Sequence, residues 1–133
     1  MDYVYFDLEA VRKALLEAAA VSQEIALAEA GSDLEREHIL AEAAFVPVIA
    51  EAVVLIVQMM NQRRPDQFIG VVFGNFLGTL AANAIGNAEE PGVMYDAITR
   101  VFDKVLAAHL DEDDEDVVMS VVRLVPGEVG GRE

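Results

Sequence analysis

The sequence predicts a mainly α-helical fold: a compact bundle of about four helices with a kinked central helix, leaving open a short terminal β pair. Three observations predict this class. Hydrophobic residues recur at spacings of three and four, glycine and proline separate these stretches, and 54% of the 133 residues are hydrophobic. A chain of this length forms one core. We therefore expect a single helical domain over residues 1–125 and a flexible tail over residues 126–133.

The first helix is predicted to begin after Asp7, whose carboxylate can cap it, with Phe6 packing against the residue four positions into the helix. Its apolar face is then a series at helical spacing: Val11, Leu15, Ala18, Val21 and Ile25. Gly31 predicts its end, as a left-handed terminator. Ser32 and Glu35 form a capping box, which predicts that a second helix begins at once.

The second helix is predicted over residues 33–62 and is the expected central helix. Pro47 lacks a backbone N–H and clashes with the preceding turn, so we expect a bend or break there. Residues 43–60 are almost entirely apolar. The exceptions are seven residues apart and form one narrow stripe: Glu37, Ala44, Glu51 and Gln58. A polar connector follows, in which Pro65 is suited to the start of the next helix.

The third helix, predicted over residues 66–85, has a row of small residues spaced four apart. The row consists of Gly70, Gly74, Gly78, Ala82 and Gly86. A glycine within a helix costs about 1 kcal/mol relative to alanine. We therefore expect a second helix to approach this bare backbone closely and to offset the cost through dispersion contacts. The packing is predicted either within the chain or between two copies.

Two further rows run along the same helix. Beside the glycines lies a polar row suited to hydrogen bonds across the same contact: Asn75, Thr79, Asn83 and Asn87. On the opposite arc we expect core residues, namely Ile69, Phe73, Phe76, Leu77 and Leu80. The sequence thus predicts a helix or dimer interface at Gly70, Gly74, Gly78, Ala82 and Gly86 with Asn75, Thr79 and Asn83.

A fourth helix is predicted from Pro91 to about Leu110, with apolar residues at helical spacing: Met94, Ile98, Val101, Val105 and Ala108. The acidic run 111–116 would be unfavourable at a helix C-terminus, so the helix should end before it. Residues 117–125 are rich in valine and suit either a strand or a short helix. As a strand they would pair with residues 3–6, which are predicted to form an edge strand or an arm.

The net charge of −15 bears on partners and location. Nucleic-acid affinity depends on cations that displace counterions, so direct binding to nucleic acid is not expected. The acidic surface would instead favour a basic protein partner. The sequence begins without the basic and apolar regions of a secretory signal, which leads us to expect a cytoplasmic protein.

No residue pattern predicts catalysis, a cofactor or a metal. Without cysteine, the chain has no thiolate nucleophile and no cysteine zinc site. Glu35 and His38 form a Glu-x-x-His pair, but a di-iron site within one chain needs a second such pair. The acidic run 111–116 lacks the glycine and the final glutamate of a calcium loop. We therefore expect a non-enzymatic protein with no cofactor.

The sequence leaves three possible functions open. The first is a protein–protein interaction or assembly module, acidic and homodimeric. The second is a small membrane protein whose helical hairpin spans residues 43–60 and 68–88; the polar residues inside these segments and the polar faces of the flanking helices weigh against it. The third is an acidic mimic of nucleic acid that inhibits a basic protein, which requires carboxylates at duplex-like spacing on one face.

Overall fold

The computed structural model describes residues 4–110 and 130–132. Its elements are β1 (Val4–Phe6), α1 (Leu8–Glu29), α2 (Asp33–Ala43), α3 (Val46–Asn61), α4 (Asp66–Gly86), α5 (Pro91–Leu110) and β2 (Gly130–Arg132). Together α2 and α3 form one rod bent by about 40°, which gives four helices in the part of the chain that the structure describes. The predicted mainly α-helical class with a kinked helix is confirmed.

The chain divides into two compact units. In the described residues, the first unit contains α1, α2, α3 and the two strands, and the second contains α4 and α5. The expected single domain over residues 1–125 stays a prediction. The acidic run and the valine-rich segment 117–125 lie outside the described residues.

The core of the first unit lies between α1 and α3. Phe6 contacts Asn61 and Arg12 contacts Glu51, so the two helices run in opposite directions. The buried side chains between them come from β1 and from both helices: Phe6, Val11, Leu15, Ala50, Val54 and Val57. Burial of such side chains stabilises a fold by roughly 1.5–3 kcal/mol each for the larger ones.

The start of α1 agrees with its predicted signals, and its end differs. The Asp7 carboxylate accepts a hydrogen bond from the backbone N–H of Ala10 at 3.1 Å. Beyond Leu15 the predicted apolar face is not buried, since Val21 and Ile25 are exposed. The reason is length: α1 has 22 residues and α3, its main partner, has 16.

The junction of α1 and α2 contains the predicted capping box, but the Glu35 carboxylate bonds to the backbone one residue before Ser32. The Ser32 hydroxyl accepts from the Glu35 N–H at 3.1 Å, and the Glu35 carboxylate accepts from the Gly31 N–H at 2.8 Å. The prediction that Gly31 is left-handed is wrong, because no glycine in the described residues has a positive φ. Extended backbone at Ala30 ends α1 instead.

The bend between α2 and α3 lies where Pro47 predicts it. Pro47 occupies the first turn of α3, a position that needs no backbone N–H donor. The sequence prediction of one bent helix over residues 33–62 therefore agrees with the structure. The predicted polar stripe, Glu37, Ala44, Glu51 and Gln58, is exposed throughout.

The second unit is a hairpin of α4 and α5, and its predicted core is only partly right. Ile69, Phe73 and Leu77 are half-buried, whereas Phe76 and Leu80 are exposed, and α4 has no fully buried residue. On α5, Ala108 is buried and Val101 is exposed. A single neighbouring helix covers a narrower arc of α4 than the sequence pattern predicts.

The β pair joins the two ends of the described chain. β1 and β2 are antiparallel, with Tyr5 opposite Gly131. A strand is present at Val4–Phe6, within the segment expected to be an edge strand or an arm, but its partner is Gly130–Arg132, in the segment predicted to be a flexible tail. A ladder of three residues requires only backbone groups, which is why glycines can form it.

Candidate interaction surfaces

The glycine row of α4 lies on the surface. Gly70, Gly74, Gly78, Ala82 and Gly86 are all exposed. A Cβ built at any of the four glycines meets no atom within 4 Å, the helix's own backbone aside. Within residues 4–110 and 130–132, therefore, no helix packs on the row. Packing between two copies stays a prediction.

The polar row beside the glycines is also exposed, and part of it bonds to its own helix. The Asn83 side chain donates to the Thr79 carbonyl at 2.8 Å, and the Asn87 side chain donates to the Asn83 carbonyl at 2.8 Å. Asparagine side chains readily form such local bonds to backbone. Asn75 is exposed on the same helix. The structure thus brings the predicted interface residues together on α4, with nothing opposite them in the described chain.

Large apolar side chains are exposed on α4 outside its contact with α5. They are Phe68, Val71, Val72, Phe76 and Leu80. An open depression of about 390 Å³ lies at the start of the helix, lined by Pro65, Gln67, Phe68, Val71 and Val72. This depression lies on a single helical segment, so it offers a ligand few converging groups. It suits contact with another apolar surface.

A second apolar surface, with three exposed and two half-buried members (Ala52 and Met59), begins at Phe45, just before α3, continues along α3, and is defined as the outer row. Its members are spaced three and four apart: Phe45, Val48, Ala52, Leu55 and Met59. Phe45, Val48 and Leu55 are 64%, 51% and 59% exposed. The buried residues Ala50, Val54 and Val57 lie on the opposite side of the helix, as the α-helical period requires. The sequence could not reveal this row, because residues 43–60 are apolar on every side except the narrow stripe that contains Glu51 and Gln58.

Arg12 and Glu51 link α1 to α3. The Arg12 Nε donates to Glu51 at 2.6 Å, and a second guanidinium nitrogen donates to the other carboxylate oxygen at 3.2 Å. Arg12 also pairs with Glu9. The hydrogen bond from Arg12 lowers the pKa of Glu51, and the bonds to Glu51 and Glu9 raise the pKa of Arg12. The apolar helix α3 therefore has its one carboxylate neutralised by α1.

Asn61 holds β1 against the end of α3. Its side-chain oxygen accepts from the Phe6 N–H at 2.9 Å, and its side-chain nitrogen donates to the Phe6 carbonyl at 2.8 Å. The carboxamide thus takes the place of a neighbouring strand along one edge of β1. The sequence indicated only that Asn61 begins a polar connector.

The described residues contain no group of three or more histidine, cysteine, aspartate or glutamate side chains that could hold a metal. Glu35 of the Glu-x-x-His pair bonds to Gly31 as part of the capping box. The expectation of a protein without catalytic residues, metal or cofactor stays a prediction.

Two helices are long and apolar enough to cross a membrane by length and composition. They are Asp33–Asn61 and Asp66–Gly86, whose most apolar 18-residue windows have mean hydropathies of 2.3 and 1.7. Only 11% and 6% of their most apolar windows are buried. Most of their apolar surface is therefore open to another partner, whether a protein or a lipid.

No protein-family model, curated protein or solved structure matches this chain.

Proposed function

We propose that this protein is a non-enzymatic assembly module that associates with copies of itself in water through apolar helix faces. The observation that carries the proposal is α4, a helix of 21 residues with no buried residue and five large exposed hydrophobic side chains. Apolar surface of this extent on one helix is unfavourable in water and marks an interaction site.

The alternative of a two-span membrane protein draws support from the length and hydropathy of the same helices. The charges of the neighbouring helices oppose it. α1 lies beside α3, and its Lys13 and Glu17 are 77% and 67% exposed. Placing α3 across a bilayer would carry these groups into the hydrocarbon, at roughly 2.5–3.5 kcal/mol for each charge near the centre.

Charged side chains on the hairpin of α4 and α5 oppose membrane insertion for the same reason. α5 packs along α4, and it carries Asp96, Arg100, Asp103 and Lys104, all exposed. Lipid around α4 would also surround these four charges. Contact with a second protein surface leaves them in water, which favours assembly over membrane insertion.

The experiment compares Gly74→Leu with Gly92→Leu in detergent-free solution. A Cβ at either position meets no described atom within 4 Å, the helix's own backbone aside, and both glycines are exposed, so the two changes are matched in the single chain. If α4 is an interface, Gly74→Leu lowers the mass measured by light scattering below that of the wild-type assembly. Gly92→Leu, at the start of α5, leaves the assembly intact.

Other outcomes contradict the proposal. A wild-type protein that is monomeric in water would contradict self-assembly. A wild-type protein that stays in the pellet until detergent is added would favour the membrane alternative. If the wild type assembles but both variants assemble equally well, the interface lies elsewhere than the glycine row of α4.

A further inference from the structure

We infer that two copies of the first unit pair through the outer row of α3, side by side and in opposite directions. This inference rests on the proposed self-assembly and adds a second surface, with a defined partner and orientation. The proposed occupant of the outer row is the same row of another copy.

The spacing of the outer row suits a helix partner. Its residues alternate steps of three and four from Phe45 to Met59, which is the pattern of a two-heptad seam. In an antiparallel pair the seam forms layers of Val48 against Met59 and of Ala52 against Leu55. The small Ala52 lies beside the larger Leu55, so the two helices can approach closely at the centre.

The other side of α3 is already occupied by α1. Ala50, Val54 and Val57 face α1, and the Arg12–Glu51 ion pair joins the two helices at one flank. A partner on the outer row therefore leaves the contact between α1 and α3 in place. The result would be a layer of four helices, with α1 on each outside and the two copies of α3 in the middle.

The charge distribution along α2 and α3 favours a second copy as the partner and an antiparallel orientation. The chain carries −15, so two copies repel each other wherever acidic surfaces meet. The rod before α3 is acidic, with Asp33, Glu35, Glu37 and Glu42 against Arg36. The turn after α3 is basic, with Arg63 and Arg64. An antiparallel pair brings each acidic end near the partner's basic turn, whereas a parallel pair would place like charges together.

Cysteine cross-linking tests the orientation directly, because the natural chain contains no cysteine. Val48→Cys and Met59→Cys are made in separate chains that carry different tags. In the antiparallel pair residue 48 of one copy lies opposite residue 59 of the other. The two copies of residue 48 are eleven residues apart along the axis, about 16 Å. A short thiol cross-linker should join the mixed chains and neither variant to itself.

The matched control is Gln58→Cys, one residue before Met59 at nearly the same height but off the outer row. It is exposed in the single chain, so its thiol is equally available to reagent. Mixed with Val48→Cys, it should lose most of the product that Met59→Cys forms. Equal product with both partners would overturn the inference, because it would reflect random collision.

The outcomes separate this inference from the proposed function. Self-linking of Val48→Cys and of Met59→Cys, each alone, would show a parallel pair and overturn the inference while self-assembly stands. A dimer by light scattering without the specific mixed product would place the contact elsewhere, with the same consequence. A protein that is monomeric, or soluble only in detergent, would overturn both.

Discussion

Asn61 shows how a single side chain can take the part of a strand. Its carboxamide offers one acceptor and one donor in the same plane, and both are bonded to Phe6. The buried Phe6 ring is thereby held over the core formed by α1 and α3. An exposed connector residue, as the sequence pattern indicated, would have no such role.

Asn61→Asp tests that role. At pH 7 the introduced carboxylate can still accept from the Phe6 N–H, but it cannot donate to the Phe6 carbonyl and instead lies against it. We expect the free energy of unfolding to fall by about 1–3 kcal/mol. The loss should shrink below about pH 4, where the protonated carboxyl donates again. Urea unfolding at both pH values, with Asn75→Asp as the exposed control, measures it; an equal loss at both pH values would contradict the role.

The Arg12–Glu51 pair gives a second prediction, for acid stability. Because the folded-state pKa of Glu51 lies below the ordinary glutamate value of 4.5, its contribution is fully present above that value and is lost as the pH falls through the lowered pKa. We expect Glu51→Gln to lower the melting temperature at pH 7, and we expect the difference from the wild type to shrink as the pH falls through the lowered pKa of Glu51. Glu24→Gln, which removes a carboxylate of α1 away from Arg12, should not reproduce this dependence.

At the scale of elements, α3 and α4 differ in how they are covered. α3 buries one face against α1 and leaves the outer row exposed on the opposite face. α4 meets α5 along a narrow arc and exposes both its glycine row and its large apolar side chains. Helical propensity alone does not explain four glycines in α4, since each weakens the helix. Both helices thus leave apolar surface available for the proposed assembly.

The proposed assembly would explain why the outer faces can remain apolar without a membrane. Each unit places an amphipathic helix, α1 or α5, beside a largely apolar one, α3 or α4. The charged faces of the amphipathic helices remain in water, while the apolar helices keep a face for another copy. An isolated apolar helix would have no such charged neighbour to oppose its insertion in lipid.

At the scale of the whole molecule, the chain folds as two compact units, and the first unit includes both ends of the chain. β2 pairs with β1, which in turn is held by Asn61 and by the burial of Phe6. The last residues thus contribute to the stability of a core built from the first half of the chain.

Removal of residues 130–133 tests this connection. Without β2, the backbone of Tyr5 loses its ladder partner Gly131, so we expect faster amide exchange in β1 and at the start of α1. The amides of the α4–α5 hairpin should exchange as in the full chain. Hydrogen exchange read by mass spectrometry measures both units in one experiment, and unchanged exchange at Tyr5 would show that β2 adds nothing.

The accuracy of the sequence predictions depended on whether they came from local signals or from hydrophobic periodicity. Most local signals were reliable: Asp7 caps α1, Ser32 and Glu35 form the capping box, and Pro47 lies at the bend, whereas Gly31 is not the left-handed terminator that was predicted. The prediction of which apolar residues are buried was less accurate. Val21, Phe76 and Leu80 fit a helical stripe, yet they are exposed, because periodicity specifies a face and not the length or breadth of the partner that covers it.

The sequence by itself determined the helical class, the positions where helices begin and end, the bend, and the placement of the glycines on one side of α4. These features arise from backbone conformation and hydrogen bonds between residues a few positions apart. Only the tertiary structure decided that α1 covers one face of α3, that Asn61 holds β1, that β2 is the strand's partner, and that the glycine row is open. Those outcomes depend on contacts between residues distant in the chain, which no local pattern encodes.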